Sequence, residues 1–343
     1  MKVLVLSNRV PFVHGGAEEL TVHLIRQLRA AGHEAEAVRI PFTWTPYGRL
    51  YDEMLIAKQL RVANVDRVIA LKYPAYLVEH PCKVVWLLHQ YRQAYDLYDA
   101  GQTDIPPNEE GETLRRAIRT ADEQAFTGAH RLFAIAEARK RLKRYNGLDA
   151  EELSAPLNDP ELFSCRPAEG YIFAGGRVND GKRQSLLIRA LRHAPSVRLV
   201  VAGPVEDGET QARLIALAEA HGVADRLTLD LRFLERTEIA DLVNRSTAVA
   251  YIPFQEDSVG YVTLEAFQAS KPVVTADDTG GVLSIVRDNE TGFVSEPTPE
   301  AIGASMERAI AEPETSRELG LNARERLEEL DLSWSKVLSR LLS

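Results

Sequence analysis

The chain of 343 residues, 45% hydrophobic and 27% charged, is long enough for two α/β domains of ordinary size, each with its own core. Its formal net charge of −9 excludes nucleic acid as the main partner, because a phosphate backbone demands a basic surface. Cys82 and Cys165 are far apart and outside any metal-ligand spacing, which excludes a disulfide framework, and no apolar run approaches the roughly 20 residues that span a bilayer; the expectation is a cytoplasmic protein.

Residues 3–6 read as a buried parallel strand, followed by a glycine-bearing turn over 11–20 into a helix over 17–31 with Leu20, Leu24, Leu28 and Ala31 on one side and Gly32 as its stop. Gly15 and Gly16 at that helix start either serve a tight turn or let the backbone approach a phosphate or sugar oxygen. The G-x-G-x-x-G spacing is absent, which argues against a dinucleotide-dependent dehydrogenase. Strands follow over 38–40 and 67–71, separated by a helix over 51–62, so the alternation of strand and helix continues. The apolar run 83–88 leads into His89, Gln90, Tyr91 and Arg92, placing His89 at the carboxyl end of a buried strand.

Residues 101–112 form a loop, 113–126 a helix, 132–136 a strand and 137–145 a further helix with five cations between Arg139 and Arg144. That basic face is either simply solvated or a contact for anionic lipid headgroups or a lipid-diphosphate acceptor. The periodic pattern breaks over 154–170, which marks an interdomain linker.

The second half opens on a strand over 171–174, then Gly175-Gly176-Arg177, a turn to Lys182, and a helix over 184–191. Arg177 and Lys182, five apart across a glycine-freed turn, are able to converge on one diphosphate, the guanidinium through paired contacts and the ammonium as a point charge. Strands over 197–202 and 227–231 follow, the latter leading into Arg232, Phe233 and Leu234. A short buried strand over 248–252 closes at Pro253 and opens into a loop carrying Glu256 and Asp257; a helix over 262–269 then carries Glu265, a carboxylate suited to two vicinal sugar hydroxyls. Gly280 and Gly281 end the next strand and offer N–H groups, Asp277 and Asp278 read as solvated carboxylates with no metal site, and Trp334, Val337, Leu338, Leu341 and Leu342 draw an apolar stripe on a terminal helix.

The stretch Gly260, Val262, Leu264, Glu265 and Ala266, with an acid seven residues before the glutamate, resembles the signature of the retaining glycosyltransferases of family 4, which have the GT-B fold. The resemblance implies two Rossmann-like domains facing a central cleft, residues 1–156 with a terminal helix 333–343 returning to them, and residues 157–332. It implies that Glu265 holds the nucleotide ribose, that Asp257 or Glu256 lies near the donor sugar with His89, and that Arg177 and Lys182 clamp the diphosphate beside Gly176 without a metal or other cofactor. Gly15 and Gly16 would face donor phosphates and acceptor, the main chain of Arg232, Phe233 and Leu234 the base, and Gly260, Tyr261, Val262, Gly280 and Gly281 the donor. Ser284 departs from the family, which has an acid there.

The function so implied is metal-independent transfer, with retention, of a sugar from a nucleotide-diphosphate donor, UDP- or GDP-linked, to a sugar or lipid-linked hydroxyl acceptor, with peripheral membrane contact left open. The alternatives are a nucleotide-sugar epimerase of the same fold and a non-catalytic nucleotide-sugar-binding protein.

Overall fold

A computed structural model describes residues 1–12, 15–205 and 207–343. The chain divides into two compact units, Met1–Pro156 with Ser333–Ser343, and Leu157–Leu332.

The first unit is built on a six-stranded sheet of β1 (Lys2–Arg9), β2 (Glu34–Pro41), β3 (Arg67–Lys72), β4 (Lys83–His89), β5 (Arg131–Ala134) and β6 (Glu151–Glu152). The strands run parallel in the order β2-β1-β3-β4-β5-β6. Parallel strands joined by helices are covered on both faces, so the central strands β1, β3 and β4 are mostly apolar and their residues divide by parity, whereas the edge strands β2 and β6 carry exposed acids. Leu4, Leu6, Val68, Ala70, Val85 and Leu87 pack on the side of the helices Leu50–Gln59 and Glu109–Thr127. Val3, Val5, Ile69, Leu71, Val84 and Trp86 pack on the other side, against the helix Gly16–Ala30 and against Val337, Leu338 and Leu341 of the terminal helix Trp334–Leu342. Arg67 adds a guanidinium bond of 3.0 Å to the Leu341 carbonyl, so the stripe read in the sequence is buried where it meets this unit.

The second unit repeats the plan with β7 (Tyr171–Gly175), β8 (Arg198–Ala202), β9 (Leu227–Asp230), β10 (Ala248–Ala250), β11 (Val273–Ala276) and β12 (Gly292–Ser295). All six are parallel, in the order β12-β11-β10-β7-β8-β9. The chain winds outward from β7 through β8 to β9, returns to the other side of β7, and winds outward again from β10. Strand order therefore reverses between β7 and β10. In an open α/β sheet the loops leaving two such strands diverge and leave a crevice at their carboxyl ends.

Element boundaries differ from the expected ones chiefly where a cap extends a helix. The helix expected from residue 113 starts at Glu109, because the Asn108 side chain accepts from the Gly111 N–H at 2.9 Å and three glutamates occupy the positive end of the helix. β6 is only two residues long, too short to carry any periodic signal.

Candidate functional site

The loops that leave β7 and β10 at the reversal point carry Arg177, Lys182, Glu256 and Asp257, four of the charged side chains singled out in the sequence. The loop after β7 holds Gly176, Arg177, Lys182 and Arg183; the loop after β10 holds Glu256, Asp257 and Gly260. Main-chain bonds stitch them together: Phe254 N–H donates to the Gly181 carbonyl at 2.9 Å.

Lys182 donates to the Tyr251 hydroxyl at 2.9 Å and to a carboxylate oxygen of Glu256. Burial works against its charge, but Tyr251 and Glu256 outweigh that, and the ammonium is held above the ordinary lysine value. Tyr251 is buried, and burial raises its hydroxyl pKa against the opposing pull of two cations, Lys182 and Arg177. Of the two members of the expected clamp, Lys182 bonds this hydroxyl directly. The main chain of Arg177 is fixed by the buried Gln184 side chain, which donates to its carbonyl at 2.9 Å.

Arg183, which nothing in the local sequence marks out, organises the loops. Its φ of 56° lies in the left-handed region, uncommon for a side chain of this size. From there the guanidinium donates to the Ile252 carbonyl at 2.7 Å, to the Pro253 carbonyl at 3.0 Å, and through both terminal nitrogens to Asp278 at 2.7 and 2.6 Å. Asp278 is therefore half of a bidentate pair, and the reading of Asp277 and Asp278 as two solvated carboxylates is corrected on this point. One side chain ties the loops after β7, β10 and β11.

The glycines at the end of β11 are explained by the same closeness. A Cβ on Gly280 would stand 2.5 Å from the Glu256 carbonyl oxygen, and one on Gly281 would stand 2.5 Å from that of Asp257. Gly280 also has a φ of 73°. The strip Glu256–Asp257 lies directly along Gly280–Gly281, with Gly281 N–H donating to the Glu256 carbonyl at 2.7 Å. Asp257 is buried in this strip. Gly260, with φ of 75°, passes against the Tyr251 ring, where a Cβ would come within 2.4 Å. Gly176 sits beside Val262.

Glu265 lies in the second turn of the helix Tyr261–Gln268 and is only 2% exposed. Its Oε1 accepts from Arg236 Nη1. The other terminal nitrogen of Arg236 donates to the Asn158 carbonyl at 2.9 Å, and the guanidinium lies 4.7 Å from the centre of the Phe163 ring. Isolated burial of a carboxylate is strongly unfavourable, and Arg236 is the cation that relieves it.

Elsewhere the expected residues are placed as follows. Arg232 is exposed and bonded through its guanidinium to Glu238 at 2.7 Å and Asp230 at 3.0 Å, Phe233 is exposed, and Leu234 is buried in the core. Tyr261 and Val262 are half-buried at the start of the helix that carries Glu265. Ser284 donates to the Gly281 carbonyl at 2.7 Å, steadying that turn.

His89, Gly15 and Gly16 belong to the first unit. His89 ends β4 with Nδ1 3.0 Å from the Gln90 carbonyl oxygen. Gly15 caps the helix Gly16–Ala30, accepting from Glu19 N–H at 3.1 Å, while Val13 and His14 of that turn lie outside the described residues. Arg92 is bonded to Asp96, as is the buried Arg141. Of the five cations between Arg139 and Arg144, four face acids, through Arg139–Asp149, Lys140–Glu137, Arg141–Asp96 and Arg144–Asp99. Among the described residues no group of three His, Cys, Asp or Glu side chains is arranged to hold a metal ion, and no helix is long and apolar enough to cross a membrane.

Residues 166–326, which hold all of these loops, match the glycosyl transferases group 1 family. The chain belongs to that family, and its two doubly wound parallel sheets have the GT-B architecture. Among curated relatives, a D-inositol 3-phosphate glycosyltransferase of Gordonia bronchialis is 33% identical over 264 residues, covering 68% of this chain and 56% of the relative. A protein of the same name from Streptomyces bingchenggensis is 28% identical over 66% of this chain and 55% of its own length. The chain thus spans a little over half the length of these relatives.

Among solved structures, sucrose-phosphate synthase of Thermosynechococcus elongatus superimposes with a TM-score of 0.78 at 16% identity, covering 99% of this chain and 97% of that one. HepE of Anabaena in complex with UDP-glucose does so with a TM-score of 0.74 at 18% identity, covering 100% and 98%. At such identities the likeness is one of fold.

Proposed function

We propose that the protein transfers a glycosyl group from a nucleoside-diphosphate sugar to a hydroxyl acceptor, with retention of configuration and without a metal. The observation that carries this reading is Lys182, bonded to the Tyr251 hydroxyl and to Glu256 where the loops after β7 and β10 meet at the reversal point of the second sheet, with Arg177 in the same loop. A diphosphate bound there would meet a guanidinium able to make paired contacts and an ammonium that stays charged, and these would stabilise the negative charge that grows on the leaving group. The N–H groups of the Gly280–Gly281 turn and the helix start at Gly260 would add fixed dipoles. HepE of Anabaena forms complexes with UDP and with UDP-glucose, which favours a uridine donor for this chain.

In the proposed step the bond between the anomeric carbon and the β-phosphate oxygen breaks while the acceptor oxygen bonds to the same face of that carbon. The acceptor's proton passes to the departing phosphate oxygen, so no side chain need serve as general base. Glu265 would hold the ribose and Asp257 the donor sugar.

The test is isothermal calorimetry with UDP, GDP, ADP and TDP on the wild type and Arg177→Ala. One diphosphate should bind, and the variant should lose roughly 10- to 100-fold in affinity, the scale of one charge-assisted hydrogen-bonding group at about 1.5–3 kcal/mol. Absence of binding by every nucleotide in the wild type would defeat the proposal.

A further inference from the structure

Glu265 presents an unusual combination: a carboxylate 2% exposed, inside a helix, whose only polar partner among the described residues is Arg236. Arg236 opens the helix Arg236–Arg245, and the two groups meet although they are 29 positions apart in the chain. The guanidinium is itself held at two further points, by the Asn158 carbonyl at 2.9 Å and by the Phe163 ring at 4.7 Å. A planar cation fixed at three points sets both the position and the rotation of the carboxylate it pairs with.

The pairing uses Oε1. No described residue donates to Oε2. Oε2 is not fully enclosed, and with no protein donor it keeps its lone pairs free to accept a hydrogen bond.

We infer that Arg236 is a positioning residue for nucleotide recognition: it holds Glu265 as an oriented carboxylate whose second oxygen accepts from a ribose hydroxyl. This rests on the reading of the second unit as a nucleotide-sugar site. Arg236 itself need not touch the ligand. Its effect passes through Glu265, so the two residues behave as one unit, and the quantity they control is discrimination between ribose and 2′-deoxyribose.

Dissociation constants of UDP and 2′-deoxy-UDP are therefore measured on the full chain for the wild type, Arg236→Ala, Arg236→Lys, Glu265→Ala and the double alanine variant, with circular dichroism as a check on folding. The expected results are a loss of about tenfold or more in UDP affinity for Arg236→Ala, a fall in the ribose-to-deoxyribose ratio towards unity, partial recovery of both with Arg236→Lys, and no added loss from Arg236→Ala once Glu265 is alanine. Should the alanine variant fail to fold, Arg236→Lys decides the matter, because a shorter cation that preserves the fold should still lower the ratio.

An unchanged ratio in a folded Arg236 variant, or losses that simply add in the double variant, would overturn the inference while leaving the proposed function in place. A wild type that binds UDP with no preference over its deoxy analogue would overturn it too. If the wild type bound neither UDP nor any other nucleoside diphosphate, the functional reading would fall first and the inference with it.

Discussion

Among the buried carboxylates of the described residues, Asp122 in the first unit and Glu265 in the second are accommodated in opposite ways. Glu265 in the second unit has a guanidinium against it, held by a backbone carbonyl and an aromatic ring. Asp122 in the first unit is fully enclosed within the helix Glu109–Thr127 and has tyrosines instead: Tyr95 donates to its Oδ2 at 2.9 Å, with Tyr76 beside it. A guanidinium balances the charge of the acid it faces; a hydroxyl solvates an acid without balancing it, and burial pushes the Asp122 pKa up to about 7. The comparison separates a carboxylate paired with a cation from one that the fold carries most easily when protonated.

The largest expected effect follows from that contrast. Asp122 binds its proton more tightly folded than unfolded, so the stability it contributes is complete below the unfolded value near 3.8 and is lost as pH rises through about 7. The whole change is on the order of 4 kcal/mol, since each tenfold difference in proton affinity between the folded and unfolded states is worth about 1.36 kcal/mol. Lys83, whose pKa is lowered by burial to about 8, stays protonated over most of this window and contributes no slope of its own there. Trp44, Trp86 and Trp334 all belong to the first unit, so tryptophan fluorescence during urea unfolding reports on it alone. The wild-type midpoint should fall between about pH 4.5 and 7, and Asp122→Asn should flatten that dependence. Parallel profiles for the two proteins would show that burial beside the tyrosines does not raise the acid.

A second prediction concerns Arg183, the cation that holds loops rather than a helix acid. Its alanine variant frees Asp278 and two carbonyls at once, and local opening of residues 251–257 and 277–281 should become easier by about 2–3 kcal/mol. Hydrogen exchange read by mass spectrometry would show faster exchange confined to those two segments. Exchange as slow as in the wild type would mean that the glycine contacts alone hold the strip together.

The contrast between the two acids also explains what can be read from the amino-acid sequence. Glu265 is legible because its neighbours Leu264, Ala266 and Phe267 are apolar and the helical spacing around it is regular, and Lys182 and Arg177 because a glycine turn between strand and helix isolates them. The central parallel strands announce themselves as apolar runs, while the edge strands β2 and β6 do not. Arg236 and Arg183 are not legible, since each acquires its role from a partner 29 or 95 positions away that only the folded packing brings near. Asp122 carries no signal either: in EEGETLRRAIRTADEQAFT it is one of several acids on a helix, and its burial depends on Tyr76 and Tyr95 arriving from two other segments. The start of that helix at Glu109 is signalled by Asn108 followed by acids, a cap pattern that the loop-forming residues around it obscure.

The smallest effect is the sharpest test of how the site is charged. Glu256 takes a hydrogen bond from Lys182, the ammonium proposed for the diphosphate, so an incoming phosphate must share that cation with a carboxylate of the same sign. Glu256 is about a third exposed, and water screens the interaction to roughly 0–1 kcal/mol. Glu256→Gln removes the charge and keeps the side-chain length, so it should tighten UDP binding by a few-fold at low salt and less at high salt. Asp257→Asn, one position on, should instead weaken binding of the sugar-bearing donor while leaving UDP itself nearly unchanged, because the buried Asp257 is the acid assigned to the donor sugar. Opposite signs from adjacent acids would distinguish a counter-ion of the clamp from a sugar ligand; a loss of donor binding with Glu256→Gln and none with Asp257→Asn would exchange the two assignments.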